Sequence, residues 1–195
     1  MKKLLLLVLL LAFAVPVNAF NPLQVCTGAV VSADCPASPT QSETTVTHLT
    51  KCNDGTNTEV LGTFTTTQAY PNGICKLSLW LRKTGSPTGT YDISIYTAPL
   101  NVPVTEVCVI SAGNDITALN TTAQEEVFET SCAGALADAT KYAIVFDNFS
   151  AAGDAGNYFG VYRNDSGTER VYLYGGSWVS VDCTTFMYHK IYATP

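Results

Sequence analysis

"LSLWLRKTGSPTGTYDISIYT", residues 77 to 97, is the stretch on which the reading of this chain turns. Leu77, Leu79 and Leu81 alternate with Ser78, Trp80 and Arg82. After a Gly/Ser/Pro turn, Tyr91, Ile93 and Ile95 alternate with Asp92, Ser94 and Tyr96. A period of two marks a half-buried strand, whose successive side chains point to opposite faces. Two such runs around a Gly/Pro turn predict a β-hairpin with one apolar face. Inward faces must pair with inward faces, which sets the register Arg82–Asp92, Trp80–Ser94 and Ser78–Tyr96. Arg82 and Asp92 would then form an exposed ion pair, with Trp80 and Tyr96 together on the outer face.

The same pattern repeats along the chain. Strands are predicted over residues 45–50, 59–66, 75–83, 90–97, 104–111, 125–130, 142–149, 158–163, 169–174, 178–181 and 186–193. Turn clusters such as "YPNG", "TGSPTG", "SAAGDAGN" and "NDSG" separate them. Between the strands, only "AGALADAT" (133–140) has room for a helical turn. Many short strands at regular spacing predict an all-β, antiparallel β-sandwich or barrel.

Residues 1–19, "MKKLLLLVLLLAFAVPVNA", read as a secretory signal peptide: Lys2 and Lys3, an apolar run from Leu4 to Val15, and small residues before the cleavage point. Residues 20–44 read as an irregular N-terminal arm rich in Pro, Ser, Thr and Ala, and 45–195 as a single sandwich domain. No later segment is long and apolar enough for a membrane span. A net charge of −6 without a basic stripe argues against nucleic acid, whose phosphates need Lys/Arg clusters. The seven cysteines of an exported chain read as disulfides with one left over. Cys26 and Cys35 are placed to close a small loop, and Cys108 and Cys132 to bridge neighbouring strands. Cys183 continues the inward parity of Val179 and Val181, as a buried thiol would.

Near "VYLYGGSWVSV" (171–181) a two-residue turn would mix the faces of the strands. A three-residue "GGS" loop keeps them apart, setting Tyr174 opposite Trp178 and Leu173 opposite Val179. Tyr172, Tyr174 and Trp178 then share an outer face. By the same parity Phe159 and Val161 point inward and Tyr158 and Tyr162 outward.

Three segments carry a resemblance: "FTTTQAYPNGICKLSLWLRKTGSPTGTYDISIYT" (64–97), "ATKYAIVFDN" (139–148) and "FMYHKIYA" (186–193). Together they resemble the choice-of-anchor type of jelly-roll domain found in exported microbial proteins, and more distantly carbohydrate-binding modules. The resemblance implies a jelly roll of eight or more strands and an extracellular setting, secreted or at the cell surface. It implies no catalytic residues.

The chain's own chemistry agrees with a non-enzyme. His189 alternates with Met187 and Ile191 and so points into the core, and His48 lies in a Thr-rich strand. Glu125 and Glu126 are adjacent in a strand and face opposite ways, so they cannot act as an acid–base pair. No cofactor is expected. A structural calcium ion is the one metal the sequence suggests, through Asp147, Asn148, Asp154 and Asn157, which crowd one loop.

The expected function is a non-catalytic binding or adhesion module with a polysaccharide or surface glycan as leading ligand. The expected site is Tyr172, Tyr174 and Trp178 with Tyr158 and Tyr162 from the adjoining strand, and Trp80 with Tyr96 as a second patch. The alternative is a self-assembling subunit of a surface layer, filament or virion, in which the arm before Thr45 adds a strand to a neighbour's sheet edge.

Overall fold

The structure is a computed structural model that describes residues 35–43, 48–56, 58–164, 171–180 and 186–193. The predicted signal peptide, Cys26 and Cys183 lie outside the described residues. Among the described residues there are thirteen strands. They are β1 (Gln41–Glu43), β2 (His48–Cys52), β3 (Glu59–Thr65), β4 (Ile74–Thr84), β5 (Thr90–Thr97), β6 (Thr105–Asp115) and β7 (Gln124–Cys132), followed by β8 (Lys141–Asp147), β9 (Tyr158–Asn164), β10 (Val171–Tyr174), β11 (Trp178–Ser180), β12 (Phe186–Met187) and β13 (His189–Ala193). Every ladder is antiparallel. One sheet of seven strands has the order β1-β13-β4-β9-β12, with β2 on β9 and β7 on β4; the other runs β11-β10-β3-β8-β5-β6. The two sheets pack face to face as a β-sandwich. The segment 133–140 holds no helix; Leu136 instead bridges to Tyr70. Among the described residues one short 3-10 turn, Ile116–Ala118, follows β6 and is capped by the Asp115 side chain.

The stretch 77–97 folds differently from the predicted hairpin. β4 belongs to the seven-stranded sheet and β5 to the six-stranded one, and no ladder joins them. β4 pairs with β13, β7 and β9, while β5 pairs with β6 and β8. The link between them arches from one layer to the other. It is tied to the loop after β8: Ser86 N donates to Asn157 Oδ1 at 2.8 Å and Thr90 N to Ser150 Oγ at 2.7 Å. Gly85 has φ +67°, and a Cβ there would lie 2.2 Å from the Gly156 carbonyl oxygen.

The alternation itself is as expected. Leu77, Leu79, Leu81, Ile93 and Ile95 are all fully buried in one core. They meet across the sandwich, not side by side in one sheet. Alternation fixes which side chains are apolar-facing; it is silent on whether two runs pair or face each other. Arg82 and Asp92 are therefore not partners. Arg82 Nη2 donates to Thr84 Oγ1 at 2.9 Å, and Asp92 accepts from Gly113 N at 2.7 Å.

The arm is less irregular than its composition suggests. β1 pairs with β13, Gln41 opposite Ile191 and Glu43 opposite His189. The Gln41 amide donates to Thr65 O at 2.8 Å and its oxygen accepts from Tyr70 OH at 3.0 Å, which locks the arm against β3. Cys35 is joined to Cys75, with Cα atoms 5.8 Å apart, so the proposed Cys26–Cys35 loop is not formed. Cys75 is a bulge: the β4 ladders to β13 and β7 both slip between Ile74 and Lys76. That slip takes Cys75 out of the alternation that orders Leu77 to Leu81. The second disulfide, Cys108–Cys132, has Cα atoms 5.5 Å apart. It joins β6, at the edge of one sheet, to β7 of the other and so closes one side of the sandwich. Two disulfides are compatible with an oxidising, extracellular compartment. Among the described residues no helix is long and apolar enough to cross a membrane.

The seven-stranded sheet contains a fork. β4 pairs with β13 up to Leu79↔His189 and with β9 from Leu81↔Val161. β9 in turn changes partner from β4 to β12 at its far end, where Met187 lies opposite Arg163. The β12–β13 segment thus enters as a wedge between β4 and β9.

Candidate functional site

Because β4 and β5 lie in different layers, the outward aromatics divide between the two outer surfaces. Trp80, Tyr158 and Tyr162 belong to the seven-stranded sheet. Tyr96, Tyr172, Tyr174 and Trp178 belong to the six-stranded one. Tyr172, Tyr174 and Trp178 stay together, but the rest of the expected grouping is split. Trp80 and Tyr96 point to opposite sides of the molecule, and Tyr158 and Tyr162 are on the far side from Tyr172, Tyr174 and Trp178.

On the seven-stranded sheet the rings gather at the fork. Trp80 stands 5.0 Å from the Tyr188 ring and 6.5 Å from the Tyr162 ring, each between centroids. Tyr188 sits at the junction of β12 and β13 and donates its backbone N–H to Tyr162 O at 3.0 Å. Three strands meet here, and three rings cover the place where the ladder changes partner. Tyr188 is only 4% exposed and Tyr158 only 6%. Lys51 Nζ lies 4.8 Å above the Tyr158 ring. Tyr158 and Tyr188 therefore serve packing and offer a ligand little surface, while Trp80 and Tyr162 are half-buried against them. Tyr188 escaped the sequence reading although the parity of Met187 and His189 already placed it outside.

On the six-stranded sheet the register predicted for residues 171–180 is observed: Tyr174 faces Trp178 and Leu173 faces Val179. The pairing extends across the sheet in rows. The middle row is Tyr172, Leu61, Val145 and Ser94. On one side lie Trp178, Tyr174 and Glu59, and then the cross-strand pair Asp147 and Asp92. On the other lie Thr63, Ala143, Tyr96 and Glu106. Leu61, Ala143 and Val145 form a small outer apolar strip, and Tyr96, Tyr172 and Trp178 pack against it half-buried. The Tyr174 and Trp178 rings are 5.2 Å apart and tilted by 52°. At the turn between them Gly176 has φ +98°, and no atom stands within 4 Å of where its Cβ would be. The rings therefore line a surface that is open at one end.

Carboxylates border these rings. Burial pushes the Asp147 carboxyl up to about 6, and the negative charges of Glu59, Asp92 and Glu106 add to the shift. Burial also raises Glu59. Tyr96 is pushed up to about 12, by burial first and then by Asp147 and Glu106. Its hydroxyl donates to Glu106 Oε2 at 3.2 Å. Asp92 is engaged, accepting from Asn148 Nδ2 at 2.9 Å besides Gly113 N. Asp147 Oδ1 is buried and has no hydrogen-bond partner among the described residues. Local sequence reasoning missed this row because Glu59 and Asp147 meet Tyr174 and Asp92 only through ladders spanning much of the chain.

Of the four residues read as a calcium loop, Asp154 and Asn157 bind each other, Asn157 Nδ2 donating to both Asp154 carboxylate oxygens. Asp154 accepts from Gly156 N at 2.7 Å and from Asn157 N at 2.9 Å, an Asx turn, while Asn148 is bound to Asp92. Among the described residues no group of three or more His, Cys, Asp or Glu side chains is placed to hold a metal ion. His189 is 2% exposed, as its parity requires; its Nδ1 donates to Met187 O at 2.8 Å and its ring lies 5.6 Å from Phe64. It borders a cavity of about 180 Å³ with Gln41, Ser42, Glu43, Phe64, Thr65 and Thr67, in which the Gln41 side chain is already committed to the arm. Glu125 holds Lys190 at 2.8 Å, and Glu126 accepts from Gln124, so the two carboxylates are separately engaged.

Compared with protein-family models and with curated proteins, the chain matches none.

Proposed function

We propose that the protein is a non-catalytic binding module of the secreted or cell-surface fraction and takes a glycan on the outer face of its six-stranded sheet. The observation that carries this reading is the half-buried ring group Tyr172, Tyr174 and Trp178, with Tyr96 across the apolar strip, mounted on paired strands. Sugar rings present apolar C–H faces that stack on such side chains, and their hydroxyls find acceptors in the bordering carboxylates. Strand mounting holds the rings in place before binding, so little ordering cost is added. A few stacked rings support affinities in the micromolar range or weaker, raised when several copies act together.

The rival reading, a subunit that assembles by lending its arm to a neighbour, fits less well. The arm's strand β1 is already paired with β13 of its own chain and is tied through Cys35 to Cys75. Retention on insoluble polysaccharides and a glycan array tests the proposal. Trp178→Ala is expected to lose most of the binding, at least tenfold, and Trp80→Ala to keep it, since Trp80 packs at the fork on the opposite surface. Equal binding by wild type and Trp178→Ala would sink the site.

A further inference from the structure

The two outer surfaces differ in charge. On the seven-stranded sheet Lys51, Lys76, Arg82 and Lys190 are interleaved with Glu125 and Glu129, Glu129 lying opposite Lys76 and Glu125 pairing with Lys190 at 2.8 Å. On the six-stranded sheet the rings instead meet Glu59, Asp147 and, farther along, Asp92 and Glu106. Lys141 shares that face of β8, but it lies six residues from Asp147, about 20 Å along the strand, and donates to Asn101 Oδ1 at 2.8 Å. The carboxylates do not converge as a metal site would. They form a spread negative border beside aromatic faces, the pairing that suits an organic cation: ring faces attract cationic and C–H groups, and carboxylates accept from ammonium N–H.

We propose that this face selects an amine-bearing sugar polymer over a neutral or acidic one, Tyr172, Tyr174 and Trp178 stacking on the sugar rings while Glu59 and Asp147 accept from the ammonium groups. The inference rests on the glycan reading above and narrows it. Asp147 is half-buried, so part of its carboxylate stays open to the ring face although Oδ1 itself is buried. The repulsion among Asp147, Glu59, Asp92 and Glu106 is relieved by the incoming positive charge. An acidic glycan meets the same border as repulsion, so the discrimination works by exclusion as well as attraction.

The test uses glucosamine oligomers, N-acetylglucosamine oligomers of equal length, and lysine oligomers of equal charge, titrated calorimetrically into the protein at low salt. At about pH 6.5 the glucosamine oligomer is expected to bind at least tenfold more tightly than the acetylated one. The ratio is expected to fall toward one in Asp147→Asn and in Glu59→Gln. It should also shrink at about pH 4.5, where Asp147 is protonated while the amine keeps its charge. A neutral oligomer that binds as well as the amine overturns the selectivity and leaves the glycan reading standing. Lysine oligomers binding as tightly as glucosamine oligomers also overturn it, since charge alone would then explain the binding. If neither sugar binds, this proposal falls, and retention of wild type against Trp178→Ala across the array decides separately whether the glycan reading falls with it.

Discussion

Asp147 shows how a single side chain reports its surroundings. It ends β8 directly opposite Asp92, and like charges placed so across a ladder oppose each other. In the unfolded chain an aspartate titrates near pH 4; in the fold Asp147 does so at about 6. Between those values the folded state holds a proton that the unfolded state has lost. This group's contribution to stability is therefore greatest below about pH 4, declines as pH rises to about 6, and is flat above. Thermal unfolding followed across that range should show the decline, and Asp147→Asn should flatten it and raise the melting temperature near neutral pH. A melting profile unchanged by the substitution would contradict the assignment. At this scale much was legible in the sequence. Parity alone sent Trp80, Tyr96, Tyr172, Tyr174 and Trp178 outward and His189 inward. Parity failed at Cys75, where a bulge breaks the period, and it carried no information on Asp147, whose neighbours come from other strands.

The elements teach a different lesson through the two turns read most closely. The three-residue loop at Gly175–Ser177 was legible because only one loop length keeps Leu173 and Val179 on the same side. The link at Gly85–Gly89 was not, because an in-sheet hairpin and a cross-layer arch both satisfy the alternation of Leu77–Leu81 and Tyr91–Ile95. What selects the arch lies elsewhere in the chain: β4 has partners in β7, β13 and β9, β5 has partners in β6 and β8, and no free edge is left for the other. Two glycines separate the demands of these turns. At Gly176 only a positive φ opposes substitution, so Gly176→Ala should cost about 1 kcal/mol. At Gly85 a Cβ also strikes the Gly156 backbone, and Gly85→Ala should cost roughly 2–3 kcal/mol or more. Urea denaturation of both variants checks the order; equal losses would mean the arch is not held against the 150–157 loop as described.

For the whole molecule, the sandwich class followed from the spacing of short alternating runs, whereas β1 in the arm, the division of residues 186–193 into β12 and β13, and the partition of strands between layers did not, since nothing local encodes them. The two disulfides act at this scale. Cys108–Cys132 joins the layers along one side and closes a segment with a sequence separation of 24. In the chain-entropy account a closure of that length stabilises the fold by about 3.5 kcal/mol. Replacing both cysteines by serine should lower stability by about that amount in denaturant unfolding while leaving the strand signature in circular dichroism. A loss of strand content under native conditions would show that the layers do not hold together without the staple.

The wedge of β12 and β13 has a consequence for timing. β4, among the longest strands, waits for partners in residues 189–193, and β1 has no place to pair until those residues arrive. A chain emerging residue by residue from its site of synthesis cannot finish this sheet from the front. It must carry Leu77 and Leu79 without their β13 neighbours until almost the whole domain is present, and then close many distant contacts in one late step. Chains of this kind fold slowly and in an all-or-none manner. A version cut short before residue 186 should be recovered as protease-sensitive aggregate, and not as a smaller sandwich.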